Sequence, residues 1–320
     1  AFPGSTDLAR VDLLQTQGGG NCANALTAAA RLGLKPVLIT KIGDDAVGDG
    51  IISELENDDV NTKFVLRAKG QPSPFTYIIV DREGGTRTCI HTPAAPMRVE
   101  DVSPNLIEES LHGAALVYFD GRLAEAALQV AKAAKGAGIP VLVEAERLRP
   151  GLNELLAHAD YVVTSARFPQ AWTGEAGLGD ALLSTFYCLP HIRWMVTTLG
   201  SKGSVFLERA NVLQDEDATR TAKLEDVLKY NKANNLKEYS EGPVARVVVA
   251  SAAVLPKDAI MDTTGAGDAF IGTLLYAICN SMPPEQSLQL AAVVAATKCT
   301  AFGARGGLPM RSSLSENLFA

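Results

Sequence analysis

Six short apolar runs, residues 36–40, 115–120, 140–144, 161–165, 194–199 and 247–250, constrain this chain more than any other feature. They are rich in Val, Ile and Leu and do not alternate with polar residues. A strand with one wet face alternates, so these runs predict strands buried on both faces. Double burial requires a layer on each side of the sheet. Helical spacing at residues 22–32, 46–57, 124–135 and 284–302 supplies those layers between the runs. Strand and helix take turns along the chain, which predicts an α/β fold with a mostly parallel central sheet flanked by helices. With 47% hydrophobic residues in 320, the chain has enough apolar surface for such a core.

Two stretches break the rhythm. Between residues 60 and 92 the segments 64–66, 75–81 and 86–91 follow one another with no helix, and Arg82-Glu83-Gly84-Gly85 joins the last two as a turn. This predicts a small antiparallel β flap, or lid, projecting from the main sheet. Residues 211–242 are rich in Lys, Glu, Asp and Asn, and predict a solvated charged insertion in which Leu224, Val227 and Leu228 support one short helix. The resulting partition is residues 1–59 and 93–320 for the main domain, 60–92 for the flap and 211–242 for the insertion.

Charge and composition exclude several classes. The net charge of −7 argues against a nucleic-acid partner, which would need clustered Lys and Arg. No apolar run approaches the ~18 residues of a membrane span. Ala1 to Arg10 carry neither a signal core nor a transit pattern, and no initiator Met is present. Five scattered cysteines without a CxxC pair point to an intracellular, reduced protein; the cytoplasm is the expected location, with an organelle left open. His91, His112, His158 and His191 lack metal-ligand spacing. Gly18, Gly20 and Ala23 satisfy G-x-G-x-x-A, but Gln15-Thr16-Gln17 stands where a dinucleotide fold needs a strand.

The stretch Asp262-Thr263-Thr264-Gly265-Ala266-Gly267-Asp268-Ala269-Phe270 opens an apolar helical run. Small residues at Gly265, Ala266 and Gly267 let backbone N–H groups approach a ligand, and a helix N-terminus favours an anion. Together they predict an anion hole suited to phosphate. A carboxylate at Asp268 would repel that phosphate, so it is expected to accept a proton from an attacking hydroxyl. The plain alternative is an Asp at a helix start after a Gly-rich turn.

In its wider context this motif resembles the C-terminal signature of the ribokinase-like (PfkB) carbohydrate kinases. Gly18-Gly19-Gly20-Asn21-Cys22-Ala23-Asn24-Ala25, followed by Gly43-Asp44-Asp45-Ala46-Val47-Gly48, resembles their N-terminal signature, and Thr197 to Gly203 resembles their nucleotide-side turn. Within the family, Asp120-Gly121-Arg122 and Val143-Glu144-Ala145-Glu146-Arg147 look toward ketohexokinase-like members. The resemblance implies a ribokinase-like fold and ATP-dependent phosphorylation of a sugar or related polyol. A nucleoside kinase or a non-catalytic, kinase-like interaction protein is the alternative.

The resemblance also implies roles. Gly19, Gly20, Asn21 and Asn24 would hold the sugar, and Asp268 would be the general base beside the Gly265–Ala266–Gly267 anion hole. Arg122, Thr198, Gly200, Gly203 and Thr264 would bind ATP, with Mg²⁺ arriving on its phosphates and the base near Thr297 to Thr300. No metal ligand is assigned, because Ser165-Ala166-Arg167-Phe168 stands where many members have Asn-x-x-Glu. The family's first strand, ending in a sugar-binding Asp, is expected before Ala1, with Phe2-Pro3 following it; Asp7 and Asp12 fall too late to replace that carboxylate. A homodimer through the flap is one arrangement such a flap allows.

Overall fold

The computed structural model describes residues 16–81, 86–209, 237–240 and 245–319. The chain begins with α1 (Asn21–Arg31), β1 (Val37–Gly43), α2 (Ala46–Asn57) and β2 (Asn61–Ala68). A hairpin of β3 (Phe75–Asp81) and β4 (Thr86–Thr92) follows, then α3 (Pro104–Leu111). The central segment runs β5 (Val117–Phe119), α4 (Ala124–Gly136), β6 (Val141–Ala145), α5 (Leu152–Leu156) and β7 (Tyr161–Ser165). It continues through α6 (Phe168–Thr173), α7 (Leu178–Cys188), β8 (Trp194–Thr198) and β9 (Ser204–Arg209). The last elements are β10 (Lys237–Ser240), β11 (Ala245–Ala250), α8 (Ala266–Cys279) and α9 (Pro284–Lys298).

The main sheet has the order β10-β11-β9-β8-β7-β6-β5. Strands β5 to β8 are parallel, and β9, β11 and β10 extend them antiparallel. Strands β5 to β9 and β11 each feed two cores, as the lack of alternation predicts. Val143, Val162, Met195 and Leu207 pack with Leu155, Phe168 and Phe186 on one face. Their neighbours Leu142, Val163, Val196 and Phe206 pack with Ala25, Phe270, Leu274 and Leu288 on the other. At about 1.5–3 kcal/mol per fully buried aliphatic side chain, these two layers are the main stabilising term.

The second core also sets the site. Gly272 of α8 lies so close to α1 that an added Cβ would run into the Ala25 carbonyl. Small residues at Ala25, Ala28 and Gly272 therefore let the two helices cross tightly. That crossing brings the first turn of α8 against the first turn of α1.

Three expectations change. Strand β2 is not part of the flap: it pairs parallel with β1, with Thr40 opposite Val65. The reason was visible locally, since α2 separates the two strands and a strand–helix–strand crossover gives a parallel pair. Val60, the residue before β2, is buried with Leu38 and Leu55. The antiparallel hairpin is only β3–β4. The helix expected to reach 302 ends at Lys298, and the loop after it turns back toward Asp262. The insertion is part of the sheet at its end, because β10 pairs with β11; residues 211–236 and the helix expected around Leu224 lie outside the described residues.

Among the described residues β1 and β5 each have an edge with no pairing strand, and both line one long cleft of about 3100 Å³. Phe2-Pro3, Asp7 and Asp12 lie outside the described residues. No helix among the described residues is long and apolar enough to cross a membrane.

Candidate active site

The cleft continues to the carboxyl ends of the parallel strands, where α/β folds bind ligands. Asp120 follows β5, Glu144 and Glu146 close β6, Ser165 ends β7 and Thr198 ends β8. Gly121 adopts φ +69°, and a Cβ there would meet the Glu144 carbonyl, so this glycine lets the Asp120–Arg122 turn lie against β6.

At the centre stands Asp268, in the first turn of α8. Gly265 caps that helix in the left-handed region at φ +80°, and a Cβ on it would lie 2.6 Å from the Ala304 carbonyl oxygen. Gly267 is different: its conformation is ordinary, and a Cβ there would meet nothing within 4 Å. The cleft is lined by Gly265, Gly267 and Asp268 but not by Ala266, whose N–H donates back to the Thr263 carbonyl at 3.2 Å. The first N–H groups of a helix have no partner within it. Of the expected anion hole, Ala266 is thus spent locally, and Gly267 and Asp268 offer the donors.

Asn24 Nδ2 donates to Asp268 Oδ2 at 2.8 Å, and Asn24 Oδ1 accepts from Arg305 Nε at 3.0 Å. Asn24, 5% exposed and on the cleft wall, thus orients the carboxylate, with one amide hydrogen and one oxygen lone pair left over for a ligand. Arg305 is buried, donates also to the Gly19 carbonyl at 3.1 Å, and pairs with Glu54 at 3.7 Å. Burial is the main force on Asp268 and pushes its carboxyl up to about 6, helped by Asp120 and Glu146 and opposed by the Asn24 hydrogen bond. Such a group is mostly ionised at neutral pH yet close enough to accept a proton readily.

On the opposite wall Asn21 Nδ2 reaches toward Glu144 Oε1 at 3.5 Å, and the Tyr118 hydroxyl donates to Glu144 Oε2 at 2.7 Å. Burial lifts Glu144 to about 8, with Asp268 and Asp120 adding to the rise and Tyr118 opposing it. The buried carboxyl is therefore protonated at neutral pH. Its raised folded-state value means that the stability present below about 4.5 is lost as pH rises toward 8. Glu144→Gln keeps the acceptor for Tyr118 without the ionisation. Melting temperature against pH should be flatter in this variant, which should gain on the native chain by a few kcal/mol by pH 8. Parallel curves for the two proteins would contradict this.

At the mouth, Glu146 receives Arg147 at 2.6 Å, Arg149 at 3.1 Å and Arg122 at 3.6 Å. Burial raises its carboxyl, but the guanidinium groups outweigh that and hold it low. Arg122 also faces Asp120 at 3.9 Å, so three guanidinium groups meet two carboxylates at this mouth. Thr198 and Thr264 line the cleft, whereas Gly200 and Gly203 do not. Gly203, at φ +93°, passes so close to Ala250 that any Cβ would collide with its carbonyl. Both glycines shape the β8–β9 turn and touch the cleft only through it. Gly20 caps α1 at φ +90°, and Gly19 receives Arg305.

The sequence pattern singled out Asp268, Asn21, Asn24 and Arg122, and the fold gathers all four. It missed Arg305, Tyr118 and Glu54, single polar residues far apart in the chain that carry no local pattern.

A ribokinase-like kinase is the class that this fold and site define. The model of the pfkB family of carbohydrate kinases matches residues 3–224 and 245–311, and the chain belongs to that family. It is accordingly a carbohydrate kinase, a phosphotransferase with an alcohol group as acceptor. It is 24% identical to a ribokinase of Bacillus subtilis over 95% of this chain and 88% of that protein. It is 26% identical to a mouse ribokinase over 94% of this chain and 84% of that one. The structure of Arabidopsis thaliana ribokinase complexed with ribose and ATP superposes with a TM-score of 0.77 at 24% identity, covering 99% of this chain and 93% of the other. Adenosine kinase from Sinorhizobium meliloti shares the fold with a TM-score of 0.70 at 19% identity, covering 92% and 81%.

Proposed function

We propose that this chain transfers the γ-phosphoryl group of ATP to a hydroxyl of a sugar or closely related polyol, with Asp268 as general base. The observation that carries the reading is the pairing of Asp268 with Asn24 at the open first turn of α8. One side of that turn offers donors to phosphate, and the carboxylate faces the cleft where an acceptor hydroxyl can lie.

The substrate hydroxyl gives its proton to the Asp268 carboxylate while its oxygen forms a bond to the γ-phosphorus. The bond from that phosphorus to the bridging oxygen breaks, and ADP leaves. N–H groups of Gly267 and Asp268 stabilise the charge on the moving phosphoryl oxygens. Arg122, backed by Arg147 and Arg149, neutralises phosphate charge from the β6 side. Asn21 and the protonated Glu144 offer hydrogen bonds to the remaining hydroxyls, as amide and acid groups suit polyols. Mg²⁺ supplies charge neutralisation when it is bound. The ion would be carried by the phosphates and water, and no protein ligand is assigned to it. The test is ADP release across a panel of sugars, polyols and nucleosides. Turnover with a sugar or polyol is expected; turnover with none, or with nucleosides alone, would overturn the reading.

The hairpin carries a second part of the proposal. Tyr77, Ile78, Ile79 and Ile90 are 57%, 46%, 48% and 53% exposed, with Tyr77 opposite Ile90 in the register. A two-stranded ribbon with apolar groups on both faces is stable only when covered. The proposed cover is the hairpin of a second copy, packed on these exposed side chains. Sedimentation should give a dimer at micromolar concentration and a monomer for Ile78→Lys; a native monomer would refute the pairing.

A further inference from the structure

Lys298 is the last residue of α9 and has no exposed surface. Its ammonium lies within ion-pair distance of no carboxylate among the described residues. Instead it donates to two main-chain carbonyls, that of Asp262 at 2.8 Å and that of Ala301 at 3.4 Å. An unpaired buried cation is costly unless hydrogen bonds replace its water. The C-terminal end of a helix also favours a positive charge there.

What these carbonyls belong to gives the lysine its significance. Asp262 opens the segment that leads into the anion hole. Its carboxylate accepts from the Thr264 N–H at 2.9 Å and the Gly303 N–H at 2.8 Å. The N–H groups of Met261 and Asp262 both donate to the Cys299 carbonyl. Gly265 rests on Ala304. The turn before α8 therefore has its footing in residues 298–304, and the Lys298 ammonium bridges the two segments.

We infer that Lys298 is a positioning residue for phosphoryl transfer, an internal cation that holds the Asp262 and Ala301 carbonyls together and thereby sets the Gly265–Asp268 turn. It touches neither sugar nor nucleotide. The inference rests on the phosphoryl-transfer reading for its kinetic consequence and on the loop geometry alone for its structural one.

Lys298→Ala removes the bridge and leaves a cavity whose polar wall is carbonyl oxygen, a cage that a primary ammonium ion fits. Turnover should fall roughly 100-fold, while the KM for sugar stays within about threefold, since Asn21 and Glu144 stand on other elements. Ethylammonium or propylammonium chloride should restore turnover at least tenfold in a saturable way. Tetramethylammonium at equal ionic strength, which has no N–H to donate, should not. Hydrogen exchange over residues 262–268 should speed up in the variant and slow again with the rescuing amine. That readout needs no turnover, so a native protein inactive on every substrate would defeat the functional reading and leave this one testable. Should the alanine variant not fold, Lys298→Met keeps the length without the charge and should show the same loss of turnover and the same faster exchange. Either variant folded with native turnover and exchange, or a folded alanine variant whose loss no amine relieves, would overturn the inference.

Discussion

Asp268→Asn should lower turnover by roughly 10²–10⁴-fold, the usual contribution of a general base. The substitution keeps the size of the side chain and its contact with Asn24, which donates to Oδ2 in the native chain. It removes the proton acceptor and nothing else of that size. ATP affinity should stay the same or tighten, because a negative charge beside the phosphates has gone. The native pH profile gives an independent check. Because burial lifts this carboxyl to about 6, kcat/KM should climb about tenfold per pH unit below 6 and level off above it. The slope should vanish in the variant. Near-native turnover in Asp268→Asn would remove Asp268 from the chemistry.

The second large effect belongs to Gly267. A valine there keeps the backbone conformation, since this residue is already helical, and its Cβ enters open space in the cleft. The fold should survive, with a melting temperature within a few degrees of native, because valine costs a helix no more than glycine does. Phosphoryl transfer should drop by roughly 10³-fold or more, as a branched side chain displaces the phosphate from its donors. Gly265 is the informative contrast. Its left-handed φ and its contact with Ala304 mean that Gly265→Val strains the backbone itself, so stability should fall along with activity. Equal loss of cooperative unfolding in both variants would show that Gly267 serves folding and not the phosphate.

The two glycines also mark where a sequence motif stops being informative. Gly265-Ala266-Gly267 reads as three equivalent small residues, yet each does a different job. Gly265 permits a turn, Ala266 closes it with a hydrogen bond to Thr263, and Gly267 leaves room for a ligand. Spacing cannot separate these, because the difference lies in φ and in what each Cβ faces. Asn24 follows the same pattern. The motif marked it as polar and important, and an amide suits a sugar. Only the α1–α8 crossing shows that one of its amide hydrogens goes to Asp268 and that its oxygen accepts from Arg305.

The strands were legible because burial on both faces leaves a continuous apolar run, and a run is a local property. Tyr161–Ser165 and Ala46–Asn57 carry the same limits in the pattern and in the structure. Strand β9 was missed because Ser204–Arg209 ends in Glu208 and Arg209, which dilute its apolar centre. The extent of the flap was misjudged because strandness is local but pairing is not. Residues 61–68 look like strand in either sheet, and the helix before them decides that they run parallel to β1.

By itself, then, the sequence determined the α/β layering, the mostly parallel sheet, the motif of the turn proposed to bind phosphate and the carboxylate expected to act as base. Those features rest on periodicity and on residue types set side by side, which a linear string records. Tertiary structure decided which partner each polar group takes: Arg305 on Asn24, Tyr118 on Glu144, three arginines on Glu146, and a buried Lys298 beneath the turn. It also decided that the Glu144 carboxyl is lifted to about 8 and that of Asp268 only to about 6. Both are carboxylates near 4 in water, and only the degree of burial and the neighbours brought in by distant segments set them apart.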